Sequence, residues 1–419
     1  MSLNSQPSAE RIHIGFFGLR NAGKSSVVNA VTGQKLSLVS EVLGTTTDPV
    51  QKAMEILPLG PVVVIDTPGV DDEGELGEMR VRRARQTLSK TDVAVLVVDA
   101  LKGLQPADRE LIGLFEARRI PYLIAWNKAD LLGEVPAPGE CELYVSAATG
   151  ANIYELKEAI GRLARQPEAD KKLVGDLIAP NDLIVLVTPI DAAAPKGRMI
   201  LPQQQMIRDV LDHDAMNVVV KETQLEAALA ALSVKPKMVI TDSQAFGPVS
   251  RIVPEDMLLT SFSILFARYK GELDEAVRGA AALDRLKDGD VVLISEGCTH
   301  HRQCGDIGTV KLPAWLKGYT KKALRFEFTS GGEFPDDPSP YALVVHCGGC
   351  MLNEREMKSR IARAREAGVP ITNYGIAIAQ AHGILRRALS PFPQLQALLC
   401  ATGFAAALPP RAGEGALCA

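Results

Sequence analysis

The sequence contains no long apolar run, little net charge, and few cysteines or histidines. Of its 419 residues, 23% are charged, and the formal net charge is -4. No uncharged apolar stretch reaches about 18 residues, so we expect no membrane span. A charge balance this close to neutral gives no general attraction to nucleic acid or to an anionic membrane. The segment MSLNSQPSAE lacks the apolar core of a signal peptide, and we therefore expect a cytoplasmic protein.

Five of the thirteen cysteines and histidines fall into two short clusters. Cys298 and His300 form the first, and His346, Cys347 and Cys350 form the second. Clustered cysteines in a reducing compartment are more typical of metal ligands than of disulfides. Each cluster follows a β-branched apolar run, and ligands in open α/β sheets gather at the carboxyl ends of strands. Three thiolates and a nitrogen suit tetrahedral Zn²⁺, whereas three thiolates alone suit three irons of a [4Fe–4S] cluster.

The ligand chemistry alone leaves both the metal and its fourth ligand open. His300 and His346 are candidates because they flank the cysteines. His301, Cys304 and Asp306 lie close by, and we interpret them as neighbours rather than ligands. A carboxylate such as Asp306 would nevertheless make a labile fourth partner for iron.

The segment from Gly18 to Ser25 matches the phosphate-binding pattern G-x-x-x-x-G-K-[ST] in full. It follows an apolar strand and opens a helix, as that pattern requires. Gly18 and Gly23 let backbone N–H groups close around phosphate. Lys24 would reach the β- and γ-phosphates, and Ser25 would bind Mg²⁺.

Three further motifs follow in the order that guanine-nucleotide binding needs. The Asp66 carboxylate can hold Mg²⁺ through water, and the Gly69 N–H can touch the γ-phosphate. Asp130 can accept both N1–H and the exocyclic amine of guanine, which adenine does not offer. The predicted nucleotide contacts are Gly18, Asn21, Gly23, Lys24, Ser25, Ser26, Thr45, Thr46, Asp66, Asn127, Lys128, Asp130, Ser146 and Ala147. Lys24, Asp66 and Gly69 are assigned to catalysis.

Alternating strand and helix patterns predict an α/β fold with three domains. A P-loop GTPase domain with a mostly parallel sheet is expected over 10–168. A small α/β dimerisation domain follows over 178–253, and an α/β metal-cluster domain over 254–402. Helices are predicted at 76–90, 106–118, 202–213, 222–232, 272–286, 353–367 and 378–389.

The nucleotide motifs resemble those of the TrmE–Era branch of translation-factor-related GTPases. The segment 44–48, GTTTD, resembles the switch I of that branch, with Thr46 preferred over Thr45 as the Mg²⁺ ligand. Val70 stands where Ras-like GTPases carry a water-positioning Gln, so intrinsic hydrolysis is expected to be slow. Asn21 matches an Asn that helps to bind K⁺ near the phosphates in potassium-activated relatives.

Together, the GTPase motifs and the downstream C-x-H…H-C-x-x-C pattern resemble the HydF family of [FeFe]-hydrogenase maturases. The resemblance covers about residues 10–400. It implies a [4Fe–4S] cluster on Cys298, Cys347 and Cys350, with His300 or His346 either occupying or lining the fourth position. It further implies a homodimeric scaffold that receives a diiron precursor made with two radical-SAM maturases and delivers it to apo-[FeFe]-hydrogenase. No nucleic-acid or membrane partner is implied.

Two other functional interpretations fit parts of the sequence. One is an Era-type RNA- or ribosome-associated GTPase with a structural zinc site. It needs a basic surface, and the pair Lys321-Lys322 is weak support for one. The other is an interaction protein in which the GTPase acts as a timer beside a redox-sensing cluster.

Overall fold

The computed structural model describes residues 11–33, 50–56, 59–67, 87–164, 173–190, 199–297, 306–349 and 352–401. Several residues named above lie outside these ranges, namely Thr45, Thr46, Gly69, Val70, Cys298, His300, His301, Cys304 and Cys350. Most of the helix predicted at 76–90 also lies outside them. The chain separates into two compact units, Met1–Ala169 and Asp170–Ala419.

The N-terminal unit contains one six-stranded sheet. Its strands are β1 (Ile12–Phe17), β2 (Val50–Ile56), β3 (Gly60–Asp66), β4 (Val93–Asp99), β5 (Tyr122–Asn127) and β6 (Glu142–Tyr144). Their order is β2-β3-β1-β4-β5-β6, and only β2 runs antiparallel to its neighbour. All seven residues of β4 are buried, as expected for a central parallel strand that is covered on both faces.

Helices α1 (Lys24–Thr32), α2 (Pro106–Ala117) and α3 (Ile153–Ala164) belong to this unit, together with a 3₁₀ turn at Ala129–Leu131. Helix α2 begins at Pro106 because a proline at the first helical position loses no hydrogen bond. The Asp108 carboxylate accepts the Gln105 N–H at 3.1 Å, which caps the start of the helix. Leu111 and Phe115, four residues apart, turn one face of this helix into the core.

The second unit begins with a four-stranded parallel sheet, called here the middle sheet. Its strands are β7 (Leu183–Val187), β8 (Met216–Val220), β9 (Met238–Thr241) and β10 (Leu258–Ser261), in the order β10-β9-β7-β8. Its helices are α4 (Leu201–Asp212), α5 (Leu225–Ala231), α6 (Phe246–Ile252) and α7 (Phe262–Tyr269), with 3₁₀ turns at Glu222–Gln224 and Ser243–Ala245. Strand β10 pairs with β9, so the middle sheet continues past residue 253.

A second parallel sheet of this unit, called here the cysteine sheet, positions the cysteine motifs. Its strands are β11 (Val291–Ser295), β12 (Arg325–Thr329), β13 (Leu343–His346) and β14 (Ile371–Asn373), in the order β12-β11-β13-β14. The remaining helices are α8 (Leu273–Ala280), α9 (Leu312–Thr320), α10 (Glu354–Glu366), α11 (Tyr374–Ala381), α12 (Leu385–Ala388) and α13 (Pro393–Ala401). Ala281–Arg285 is a 3₁₀ helix, and Ile307–Lys311 is a π-helical turn.

One apolar core joins these two sheets. It contains Ile184 and Ile240 of the middle sheet, Leu265 of α7, Val277 of α8 and Ile376 of α11, all of them 1% exposed or less. Because α7, α8 and α11 share this core, the middle sheet and the helices beside the cysteine sheet form one packed body.

The α/β prediction is confirmed. The helix predictions that fall on described residues hold with one clear difference, whereas most of the predicted helix 76–90 lies outside those residues. The structure divides the predicted helix 378–389 into α11 and α12. Gly383 lies between them with φ +69°, a left-handed conformation that ends a helix. The three-domain division at 10–168, 178–253 and 254–402 stays a prediction.

Candidate functional site

The loop from Gly18 to Gly23 can adopt its shape only because both ends are glycine. Gly18 has φ +147°, and a side-chain carbon there would lie 2.3 Å from the carbonyl oxygen of Val97. Gly23 has φ +85°, and a side-chain carbon there would lie 2.2 Å from Nδ2 of Asn127. The loop is therefore packed against the ends of β4 and β5 with no room for any larger residue.

Lys24 and Asp66 form an ion pair at the carboxyl ends of two neighbouring strands. Phe16 of β1 is in register with Asp66 of β3, which brings the start of α1 beside the Asp66 carboxylate. Ser25 Oγ lies 3.5 Å from Oδ2 of Asp66. An ammonium, a hydroxyl and a carboxylate thus converge where the sequence predicts phosphate and Mg²⁺.

Asn127 connects the phosphate side of the site to the base side. Its Nδ2 donates to the carbonyl of Ala22 at 3.0 Å, and its Oδ1 accepts the N–H of Ala147 at 3.1 Å. The residue is only 2% exposed. Both bonds are between neutral groups, the first buried and the second partly buried, so losing either one would leave a polar group of this buried side chain unsatisfied.

Lys128 joins the same network from the next position. Its Nζ donates to the carbonyl of Asn21 at 2.8 Å and contacts Oδ2 of Asp99 at 2.5 Å. Burial by itself would raise the pKa of Asp99. Hydrogen bonds from Lys128 and from the Leu101 N–H, together with the positive charge of Lys128, outweigh burial and lower this pKa below its usual value. Asp99 was missed by the sequence analysis, although it ends β4 in register with Asn127.

The other predicted nucleotide contacts that the structure describes differ in exposure. Asn21 and Ser26 are exposed, and Asn21 has φ +65°. Asp130 is exposed on the turn after β5. Ser146 is fully buried, and its Oγ accepts the N–H of Thr149 at 3.1 Å, which shapes the loop that carries Ala147.

The sulfur of Cys347 lies at the carboxyl end of the cysteine sheet. It accepts the N–H of Gly297 at 3.0 Å and the N–H of Gly349 at 3.3 Å. Cys298 and Cys350 are the next residues in the chain after these two glycines. The two glycines that bond to the Cys347 sulfur are therefore the residues that precede the two other predicted cysteine ligands in the sequence. N–H donors aimed at sulfur favour the thiolate form that binds metal.

His346 contacts a positive group on one side and a carbonyl on the other. Arg360 Nη1 lies 3.0 Å from Nε2 of His346, and Nδ1 lies 2.7 Å from the carbonyl of Cys347. Because a guanidinium can only donate, Nε2 accepts and the ring proton resides on Nδ1. His346 would have to release one of these bonds to bind a metal.

Arg360 is itself a fully buried charge, a feature that the sequence analysis did not identify. Its Nη2 donates to Glu356 Oε1 and to the carbonyl of Gly331, each at 2.7 Å. Its Nη1 also lies 3.4 Å from Oγ of Ser295, which is in register with His346. Such a buried pair costs desolvation but fixes the geometry of the groups that it contacts.

Asp306 begins the π-helical turn that follows the first cysteine motif. Oδ2 of Asp306 accepts two hydrogen bonds from Thr309, one from its N–H at 2.9 Å and one from its hydroxyl at 3.0 Å. Nearby, the Tyr374 hydroxyl donates to Glu296 at 3.3 Å. Burial, followed by the neighbouring negative groups Cys347 and Glu296, raises the pKa of Tyr374, so the phenol stays a donor.

Within the described ranges, no three His, Cys, Asp or Glu side chains form a metal-binding group. Two of the three predicted cysteine ligands lie outside those ranges. No helix in the described part of the chain is long and apolar enough to cross a membrane.

Comparison with known families assigns each region. Residues 13–128 match the family model of the 50S ribosome-binding GTPase. Residues 173–271 match the hydrogen maturase F dimerization domain, and 274–391 match the hydrogen maturase F tetramerization domain. The N-terminal unit is thus a GTPase domain, and the rest of the chain carries domains of oligomer-forming families.

Individual relatives match a smaller part of the chain. This chain is 33% identical over 158 residues to a tRNA modification GTPase MnmE of Nitrosospira multiformis, and the match covers 36% of this chain and 34% of that protein. It is 36% identical over 185 residues to a GTPase Der of Kosmotoga olearia, covering 39% and 42%. The chain thus spans less than half the length of these relatives. The match to a crystal structure of Era from Aquifex aeolicus covers 57% of this chain and 97% of the Era chain. The sequence identity is 20% and the TM-score is 0.33.

Proposed function

The chain belongs to the hydrogen maturase F family, and we propose that it is a GTPase and scaffold that assembles the diiron subcluster precursor and delivers it to apo-[FeFe]-hydrogenase. Two radical-SAM maturases are the proposed suppliers of that precursor. The structural observation that supports this proposal is the sulfur of Cys347, which accepts two backbone N–H groups at the carboxyl ends of β11 and β13.

The residues around Cys347 fit a [4Fe–4S] cluster as the resident cofactor. Hydrogen bonds from backbone N–H groups to sulfur are among the features that tune such clusters. The two glycines that donate these bonds directly precede Cys298 and Cys350 in the chain, which gives three thiolates for three irons. When bound, a cluster held by three thiolates supplies one iron with an exchangeable position. A carrier needs such a position because a closed site could neither accept nor release its cargo.

The nucleotide site supports the GTPase half of the proposal. Lys24 would leave the Asp66 carboxylate for the β- and γ-phosphates, and Ser25 with Thr46 would hold Mg²⁺. Asp130 would accept the guanine donors. Asn21, exposed in a left-handed conformation, would help to bind K⁺ beside the phosphates. Gly69 would donate its N–H to the γ-phosphate. Hydrolysis to GDP and phosphate then serves as a switch for partner exchange rather than for cluster chemistry.

The middle sheet offers a surface for a homodimer. Strand β8 is at the open edge of that sheet, and its residues Met216 and Val219 are 45% and 42% exposed. Edge strands present unpaired backbone groups that favour pairing with another strand. We infer that two copies associate through this edge.

Anaerobic reconstitution with iron and sulfide tests the proposal. The wild-type protein should take up close to four irons per chain and restore hydrogenase activity to an extract that lacks this protein. Cys347→Ser should lose iron and the ability to restore activity, while GTP hydrolysis continues. Cys141→Ser is the matched control, because Cys141 is exposed in the GTPase unit and should be neutral.

The other outcomes identify the alternatives. One zinc per chain without iron, together with co-purifying RNA, would favour the Era-type interpretation. A full iron cluster with no restored hydrogenase activity would favour a redox-sensing interaction protein.

A further inference from the structure

Two ionisable residues are buried beside the turn that contains Gly349. Lys270 is 8% exposed and Glu272 is 7% exposed. Both lie at the short junction between α7 and α8. This junction ends the region that matches the dimerization domain, whereas the turn belongs to the region that matches the tetramerization domain. Neither residue has a role in the GTPase site or among the predicted cluster ligands.

Lys270 donates hydrogen bonds to two backbone carbonyls of the segment that follows β13. Its Nζ donates to the carbonyl of Gly349 and, at 3.2 Å, to the carbonyl of Leu352. In the sequence these carbonyls stand directly before and after the pair 350–351, so the ammonium contacts the described residue on each side of that pair. The carbonyls belong to positions 79 and 82 residues further along the chain. The contact therefore depends on the packing of the two sheets.

The space around Gly349 is already filled by neighbouring side chains. Gly349 has φ +60°, and a side-chain carbon there would lie 2.7 Å from Sδ of Met357 and 3.5 Å from Nζ of Lys270. The N–H of the same glycine donates to Cys347 Sγ. A single residue, Gly349, thus connects the Lys270 ammonium to the sulfur of Cys347.

A buried ammonium also alters the electrostatics of the cysteine site. Charges nine-tenths removed from water interact more strongly than exposed ones because the surrounding dielectric is low. Glu272 lies in the same pocket, and its Oε1 has no hydrogen-bond partner among the described residues. A positive charge beside thiolates stabilises the extra negative charge that a cluster gains on reduction.

We propose that Lys270 is a positioning residue for the cluster: it fixes Gly349, which donates its N–H to Cys347 and directly precedes Cys350 in the sequence, and it raises the reduction potential of the bound cluster. This role rests on the [4Fe–4S] site of the proposed function. It also means that the junction after the middle sheet, rather than the cysteine sheet alone, shapes the cluster site.

Three variants of the full chain separate positioning from general charge. Lys270→Met removes the ammonium and keeps the side-chain length, whereas Lys270→Arg keeps the charge. Lys358→Met is the matched control. Lys358 also lies near this junction, because its Cε is 3.7 Å from the position that a Cβ on Gly271 would occupy. Its side chain is 58% exposed, however, and pairs with Glu354.

The measurements are iron loss to a chelator, the EPR spectrum and the midpoint potential of the reconstituted protein. Lys270→Met should lose iron about 10-fold faster, as is typical when a group that orients a ligand is removed. Its EPR line shape should change and its potential should fall. Lys270→Arg should restore the potential, and Lys358→Met should match the wild type in all three measurements.

The results separate this inference from the proposed function. If the wild-type protein binds no iron–sulfur cluster, the proposed function fails. If it binds one and Lys270→Met has the same EPR spectrum, potential and iron loss, only the role of Lys270 is overturned. Should Lys270→Met not fold, Lys270→Gln removes the charge but keeps a hydrogen-bond donor, and a wild-type potential in that variant would equally overturn the inference.

Discussion

The guanidinium of Arg360 lies 3.0 Å from Nε2 of His346 and so determines which nitrogen of the imidazole carries the proton. The ring donates through Nδ1 to the carbonyl of Cys347 and accepts at Nε2. In this arrangement His346 therefore bonds to the backbone carbonyl of Cys347, which is itself a predicted cluster ligand. Its own role as a ligand stays a prediction.

We predict that His346→Ala keeps the iron content and EPR signal of the reconstituted protein but lowers its stability. The variant leaves a donor of buried Arg360 without its partner, which costs about 1–3 kcal/mol. Chemical denaturation and iron analysis measure the two effects. His300→Ala provides the comparison, because it removes the other candidate histidine. An altered EPR signal in His346→Ala alone would show that His346 binds the cluster.

Gly23→Ala should abolish nucleotide binding. The added methyl group would lie 2.2 Å from Nδ2 of Asn127, and φ +85° is strained for alanine. Gly33→Ala is the matched control. Gly33 also has positive φ, at +65°, but a side-chain carbon there meets nothing within 4 Å. It should cost about 1 kcal/mol of stability and leave binding of a fluorescent GDP analogue unchanged. Equal binding by both variants would contradict the assignment of this loop.

Val219→Pro should convert the proposed homodimer into monomers. Met216 donates its N–H to Asp182, and alternation along β8 directs the Val219 N–H away from β7 towards the open edge. Proline removes that donor without breaking the ladder to β7. Val219→Thr keeps the N–H and should stay dimeric. Light scattering after size-exclusion chromatography distinguishes the two, and a dimeric Val219→Pro would place the interface elsewhere.

Glu272→Gln should stabilise the protein increasingly as the pH rises from about 4.5 to about 8. Burial raises the pKa of Glu272 to about 8, against the opposing charge of Lys270. Between these values the unfolded chain is ionised while the folded carboxyl keeps its proton, so the wild type loses stability as pH rises. The gain from the substitution should reach a few kcal/mol near pH 8 and vanish below about pH 4.5.

Thermal unfolding across this pH range measures the difference between the variant and the wild type. Glu226→Gln, at an exposed position of α5, should show no such trend. A stability difference that does not vary with pH would refute the shifted titration of Glu272.

The sequence predicts those parts of the site that depend on local spacing. Gly18, Gly23 and Lys24 follow a strand within a single loop, so their pattern alone indicates phosphate binding. Lys270 and Arg360 carry no such pattern. Their partners lie 79 and 14 residues away in sequence, and their burial is decided only when helices pack on the cysteine sheet.

Strand β10 was missed for a related reason. It has only four residues, Leu258–Ser261, and the helix α7 follows at once. A run this short gives no period by which a strand differs from the start of a helix. Its pairing with β9 is a tertiary choice, made because Leu259 and Phe262 are buried in cores that the middle sheet provides.

Asn127 bonds to the loop of Ala22 with one end of its amide and to the loop of Ala147 with the other. An amide is rigid and planar, so a shift of either loop must be matched by the other or break a buried bond. Guanosine and pyrophosphate added together should therefore bind more tightly than their separate affinities imply. Binding of one part of the nucleotide would thus order the loop that binds the other part.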